Sequence, residues 1–119
     1  MNDNKKFNQL DIELLIDYLE SLGQPVVNEM INLYKKQVVI YIEEIENSLE
    51  GGSVHSWKDC CHKMKGAAGS LGLISLHSRL KLMENTTENI NSKRHQLNDL
   101  KSHNDLAISE LNDWFASCS

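Results

Sequence analysis

Two side chains that could act together on an anionic group lie one helical turn apart, His62 and Lys65. A neutral imidazole is a nucleophile through its free nitrogen lone pair, and an unperturbed histidine is mostly neutral near pH 7. A lysine ammonium one turn away can neutralise negative charge on a group held at the ring. The pair therefore fits the binding or transfer of an anionic group, although a surface histidine beside a lysine is common.

A helix over residues 53–71 would carry both side chains, with Ser53 as its N-cap and Gly72 as the glycine that ends it. On a helical wheel of about 100° per residue, one arc is apolar and faces the core, and His62 projects from the opposite side. The apolar arc contains Trp57, Cys60, Cys61, Met64, Ala67, Ala68 and Leu71. The side of His62 contains His55, Lys58, Asp59, Lys65, Gly66 and Gly69.

Two glycines on the exposed side of this helix, Gly66 and Gly69, are unusual. Each costs about 1 kcal/mol of helix stability relative to alanine. Packing against the core does not account for them, because the wheel turns both away from the core. Their effect is a bare backbone beside His62, which a second protein could approach closely. The histidine, the lysine and the glycines together favour a contact site for a partner.

The rest of the chain is also predicted to be helical, since it has one proline and six glycines and lacks period-2 apolar alternation. Asp11 can cap a first short helix that Gly23 ends, and a long second helix follows from Pro25 to about Leu49. Two later helices flank the polar stretch 85–92. We predict an all-α fold of five helices: an antiparallel up-down four-helix bundle with the short N-terminal helix packed across one end. The last helix carries Leu97, Leu100, Leu106, Leu111, Trp114 and Phe115.

The composition is typical of one soluble domain, with 119 residues, 40% hydrophobic and 24% charged. We therefore expect a single domain over residues 1–119, with its core at about 8–117. A formal net charge of −5 disfavours nucleic acid and anionic membranes as partners. The three cysteines fit a reducing compartment, and no apolar run approaches the roughly 20 residues of a membrane span. We expect a cytoplasmic monomer without direct membrane contact, because no face beyond the core stripes is strongly apolar.

One continuous stretch, CHKMKGAAGSLGL from Cys61 to Leu73, resembles the signature of histidine phosphotransfer (HPt) domains. That signature has a histidine, a lysine three residues later, a glycine directly after the lysine and another glycine ten residues after the histidine. Residues 76–84 look like the family's next helix, and residues 10–20 resemble the phosphotransfer domain of a hybrid sensor kinase. Arg79 stands where the family pattern has an apolar residue, so we expect it at the edge of the bundle.

The resemblance implies a phosphocarrier of a two-component phosphorelay rather than an enzyme acting alone. His62 would accept a phosphoryl group from an aspartate of a partner receiver domain and pass it to, or take it back from, a response regulator. Lys65 would stabilise the phosphoryl group, and Glu84 would orient the imidazole through its other nitrogen. The receiver would supply Mg²⁺, and this chain would need no cofactor of its own. The docking surface would include Lys58, Asp59, Gly66 and Gly69.

Two alternatives remain open from the residues alone. Cys60, Cys61 and His62, with His55 as a further candidate ligand, could form a metal site. The cysteines point to the core side of the wheel, whereas zinc ligands must converge, so we expect no metal. A helical protein–protein interaction module without phosphate chemistry would explain the bundle but leave the arrangement around His62 to chance. The remaining histidines are expected to be ordinary surface residues: His77, His95 and His103.

Overall fold

The computed structural model describes residues 7–51 and 56–118, and within those ranges every regular element is a helix. The helices are α1 (Ile12–Leu22), α2 (Gln24–Leu49), α3 (Trp57–Ser70), α4 (Ile74–Glu84) and α5 (Ile90–Ser117). The predicted all-α bundle of five helices is confirmed. None of the described helices is long and apolar enough to cross a membrane.

The first helix covers one end of the bundle, as predicted. The Asp11 side chain caps α1 by accepting a hydrogen bond from the backbone N–H of Leu14, at 3.2 Å. The backbone N–H of Asp11 donates to the carbonyl of Gly72 at 2.7 Å, and the Tyr18 hydroxyl donates to the carbonyl of Ser70 at 2.7 Å. These bonds tie α1 to the end of α3, so α1 closes the bundle at the α3–α4 turn.

The third helix begins at Trp57, and the Ser56 side chain caps it by accepting from the backbone N–H of Asp59 at 3.1 Å. The predicted cap, Ser53, lies outside the described residues, as does His55. The polar stretch before α5 is shorter than the predicted 85–92, because Asn89 caps a helix that starts at Ile90.

The turn between α3 and α4 depends on Gly72. Its φ of +75° is left-handed, and a Cβ there would lie 3.4 Å from the carbonyl oxygen of Asp11. The backbone N–H of Leu73 bonds the carbonyl of Ala68 at 2.9 Å, and that of Gly72 bonds the carbonyl of Gly69 at 3.1 Å. This pattern is a Schellman motif, which ends α3 and reverses the chain into α4. Gly72 is therefore the C-terminal glycine that the sequence predicts.

The core contains the apolar arc of α3 almost as predicted, with Ala67 half-buried and the other six residues buried. On α5, Leu106 is exposed at 49%, so it does not share in the core as its place among the apolar residues of the helix suggested. Asn104 and Ala107 are buried instead. The amide oxygen of Asn104 accepts a hydrogen bond from the Tyr34 hydroxyl at 2.9 Å, which satisfies this polar pair between α2 and α5.

Candidate functional site

His62 lies on the outer face of α3, opposite the core arc, and its side chain is 70% exposed. Lys58 and Asp59, about one turn earlier on the same helix, are exposed as well. The helical wheel predicts this placement, because a helix with one apolar arc must turn its opposite face to solvent. The ring is therefore open to an incoming molecule.

Glu84, the last residue of α4, bridges the two side chains singled out in the sequence. Its Oε1 lies 3.2 Å from Nδ1 of His62, and its Oε2 lies 3.0 Å from Nζ of Lys65. The Glu84 side chain is 10% exposed and that of Lys65 is 16% exposed, so both are shielded from solvent. The antiparallel α3–α4 hairpin creates this contact between residues 22 positions apart, by pairing the first half of α3 with the end of α4.

The charge of Glu84 fixes the tautomer of His62. Burial alone would raise the pKa of the Glu84 carboxyl, but hydrogen bonds from Lys65 and His62 and their positive charge outweigh burial, so its pKa lies below the usual range. An ionised carboxylate can only accept hydrogen bonds. Nδ1 of His62 must therefore be the donor, which leaves the lone pair of the neutral ring on Nε2.

The two glycines near His62 differ in their surroundings. A Cβ at Gly66 would meet no atom within 4 Å, so this backbone is bare to solvent as expected. A Cβ at Gly69 would lie 2.9 Å from Cδ2 of His77 on α4. The prediction of a bare backbone is wrong at Gly69, because the half-buried His77 ring lies over it. The contact depends on the register of α4 against α3, which the wheel of one helix does not contain.

The cysteines do not join His62. Cys60 and Cys61 are buried on the core side of α3, and burial raises the pKa of the Cys61 thiol to about 12. A protonated thiol packed in the core is a small apolar group rather than a metal ligand. In residues 7–51 and 56–118, no group of three or more histidine, cysteine or acidic side chains could hold a metal ion.

Two of the other histidines are more than ordinary surface residues. Besides His77, which lies over Gly69, His103 is half-buried between α4 and α5. Nδ1 of His103 donates to the backbone carbonyl of Asp99 at 2.9 Å, and its Nε2 accepts from Nη2 of Arg79 at 3.0 Å. Nη1 of Arg79 also donates to Oδ2 of Asp99, at 3.2 Å. Arg79 therefore takes the expected place at the edge of the bundle. Of His77, His95 and His103, His95 is the exposed one.

Comparison with known proteins points to one family. A family model described as "Hpt domain" matches residues 29–114. The aerobic respiration control sensor protein ArcB of Escherichia coli is 34% identical over 64 residues, which cover 54% of this chain and 8% of that protein. The phosphorelay intermediate protein YPD1 of Candida albicans is 29% identical over 83 residues, which cover 70% of this chain and 45% of that protein. The chain thus spans less than half the length of either relative.

A solved structure has the same fold. The histidine-containing phosphotransfer domain of ArcB from Escherichia coli superposes with a TM-score of 0.82, and the alignment covers 97% of this chain and 99% of that chain. Sequence identity over this alignment is 24%. The architecture described above is therefore shared with that structure as a whole, including the short α1.

Proposed function

The chain belongs to the Hpt domain family of phosphorelay phosphocarriers, and on this premise we propose that His62 is the residue that carries the phosphoryl group. One observation carries the proposal: Glu84 holds Nδ1 of His62, which leaves the Nε2 lone pair on an exposed ring. Of the five histidines in the chain, His62 is the one that the family signature selects. The bare backbone at Gly66 supports the proposal, because a partner can approach the ring there.

The proposed reaction exchanges one bond for another. Nε2 of His62 attacks the phosphorus of an aspartyl phosphate on a receiver domain, and the electron pair of the broken P–O bond returns to the aspartate carboxylate. The reverse reaction delivers the group to a receiver aspartate. Such transfer depends mainly on in-line positioning and on stabilisation of charge. In this proposal the receiver supplies Mg²⁺, and the Hpt domain supplies the nucleophile, a cation and a docking surface.

Lys65 is proposed to stabilise the phosphoryl group. Its ammonium has three N–H donors, and Oε2 of Glu84 accepts one of them at 3.0 Å. The other two can bond phosphoryl oxygens without breaking that contact. Because the Lys65 side chain is shielded from solvent, its charge is screened less than that of a fully exposed lysine.

The docking surface is proposed to include Lys58, Asp59 and Gly66, which are exposed around His62. Gly69 contributes to this surface only indirectly, because its lack of a side chain leaves room for the His77 ring. A separate groove of about 310 Å³ lies between α2 and α3, and its lining includes Ala67 and Ser70 of α3. We propose that the occupant of the docking surface is the receiver domain of a hybrid kinase or of a response regulator, and that the chain acts as a cytoplasmic monomer.

The test is transfer from phosphorylated receiver domains, read as acid-labile phosphate on this chain. His62→Gln should accept no phosphate while keeping its helical circular dichroism, because the exposed ring leaves no cavity when it is removed. His95→Gln, an exposed histidine on α5, is the matched control and should accept phosphate normally. Acceptance by His62→Gln would move the site to another histidine. A folded native chain that accepts from no receiver would favour an interaction module without phosphate chemistry.

A further inference from the structure

We propose that Glu84 keeps a proton on Nδ1 of His62 in both the free and the phosphorylated states, so that the phosphoryl group always departs from an imidazolium and leaves a neutral imidazole. The inference rests on the proposed function of His62. It goes further by assigning Glu84 as a positioning residue that controls the reactivity of the phosphorylated ring, beyond orienting the free one.

The geometry suits a carboxylate at this position better than an amide. Each oxygen of Glu84 has its own donor, with Nδ1 of His62 at 3.2 Å and Nζ of Lys65 at 3.0 Å. A glutamine side chain has one acceptor oxygen, and its NH₂ group would face a second donor. The Glu84 carboxylate is also 10% exposed, so its negative charge acts on the ring with little screening by solvent.

The bond changes show why this proton matters. When Nε2 attacks phosphorus, the N–P bond forms, the P–O bond breaks, and the ring with its Nδ1 proton becomes an imidazolium. On the return step the N–P bond breaks and its electron pair goes back to Nε2, which leaves neutral imidazole. If Nδ1 had lost its proton, the leaving group would be an imidazolate anion, which is much less stable. With the proton held by Glu84, neither step requires proton transfer.

The other charged groups around the ring do not duplicate this role. Lys65 shares Glu84 with the ring, so its positive charge opposes the effect of the carboxylate. On α2, Glu44 is paired with Lys63 at 3.2 Å, and on α5 the ammonium of Lys93 lies 5.5 Å from the centre of the Trp57 ring. The remaining charged side chains one turn away on α3 and α4 are exposed: Lys58, Asp59 and Lys81.

The experiment phosphorylates the chain with phosphoramidate, a small donor that needs no receiver, and follows the ring of phosphorylated His62 by NMR as pH is raised. In Glu84→Gln, the Nδ1 proton should be lost at a pH about one unit lower or more, since an adjacent opposite charge typically shifts a pKa by about 1–3 units. In Lys65→Met the proton should be lost at a higher pH, because the carboxylate then serves the ring alone. Glu44→Gln, which removes a carboxylate paired with Lys63 instead, should leave the titration unchanged.

The pH at which Nδ1 loses its proton should fall in Glu84→Gln and rise in Lys65→Met. If the two side chains had only a structural role, both substitutions would move that pH in the same direction. The rate of phosphotransfer to a receiver should begin to fall at a lower pH in Glu84→Gln than in the native chain. Identical titrations for the native chain and Glu84→Gln would overturn the inference while leaving the proposed function intact. If Glu84→Gln fails to fold, an unshifted titration in Lys65→Met overturns it equally. Failure of the folded native chain to take phosphate on His62 would instead remove the proposed function, and the inference with it.

Discussion

Substitution of Gly66 is expected to change stability and phosphotransfer in opposite directions. Gly66 lies inside α3 with a negative φ, and a Cβ built there meets no atom within 4 Å. Gly66→Ala should therefore raise the free energy of unfolding by up to about 1 kcal/mol, through helix propensity and a less flexible unfolded chain. For a domain of this size, about 1 kcal/mol corresponds to a rise in Tm of roughly 4 °C.

Gly66→Gln should also fold at least as well as the native chain, because glutamine is a better helix former than glycine. Its side chain would project from the surface one turn after His62, into the space that a receiver must enter. We expect the rate of transfer from a phosphorylated receiver to fall at least about tenfold, which corresponds to about 1.4 kcal/mol of lost transition-state stabilisation.

Gly69→Ala is the matched control for helix propensity. It makes the same change on the same face of α3, but its Cβ would lie 2.9 Å from Cδ2 of His77, so that ring must move. Because His77 is half-buried and its ring can turn aside, the cost of moving it should stay below the roughly 1–3 kcal/mol of overpacking a core, but Gly69→Ala should still be less stable than Gly66→Ala. Thermal melts and transfer assays on the three variants check the argument. Unfolding of both Gly66 variants, or normal transfer by Gly66→Gln, would refute it.

Three further substitutions are expected to have distinct effects. Lys65→Ala should slow transfer without abolishing it, because the ammonium stabilises charge but forms no bond to phosphorus; a rate unchanged at both low and high salt would show no such role. Gly72→Ala should lower the free energy of unfolding by about 1–2 kcal/mol in urea titrations, since its φ of +75° strains any residue with a Cβ, and an unchanged midpoint would contradict this. The pKa of Glu84 is lower in the folded than in the unfolded chain, so its stabilisation is present above the unfolded pKa and is lost as pH falls through the folded pKa. Glu84→Gln should therefore flatten the loss of stability with acid, and equally steep pH profiles for the two chains would argue against the ion pair.

The sequence predicts features that depend on one helix at a time. The exposure of His62 and the burial of Cys61 both follow from the 3.6-residue period of α3, which separates an apolar arc from a polar one. The contact of Glu84 with His62 was expected only through the family resemblance, because it depends on how α4 lies against α3. The His77 ring over Gly69 was missed for the same reason.

The sequence prediction and the structure also differ at the ends of helices and in the burial of two residues on α5. The side chain of Ser56 caps α3 by accepting from the backbone N–H of Asp59, and because any serine suits an N-cap, residue type alone did not distinguish it from Ser53, which lies outside the described residues. Leu106 is exposed because it lies off the buried stripe of α5, whereas Asn104 lies on it, and the Tyr34 hydroxyl supplies the hydrogen bond that its amide needs in the core. A hydrogen-bond donor on another helix thus allows a polar residue to be buried, which the sequence of α5 alone does not indicate.

The Schellman turn at Gly72 lies away from the reacting atoms, but it constrains the number of residues between His62 and Glu84. His62 and Glu84 lie ten and twelve residues from that glycine, so the turn fixes the register that brings Oε1 within 3.2 Å of Nδ1. One residue inserted after Gly72 would rotate α4 by about 100° and turn Glu84 away from His62. Homologous chains that keep this carboxylate–imidazole contact should therefore vary freely in the loop before α5 while keeping the number of residues between the histidine and the carboxylate constant.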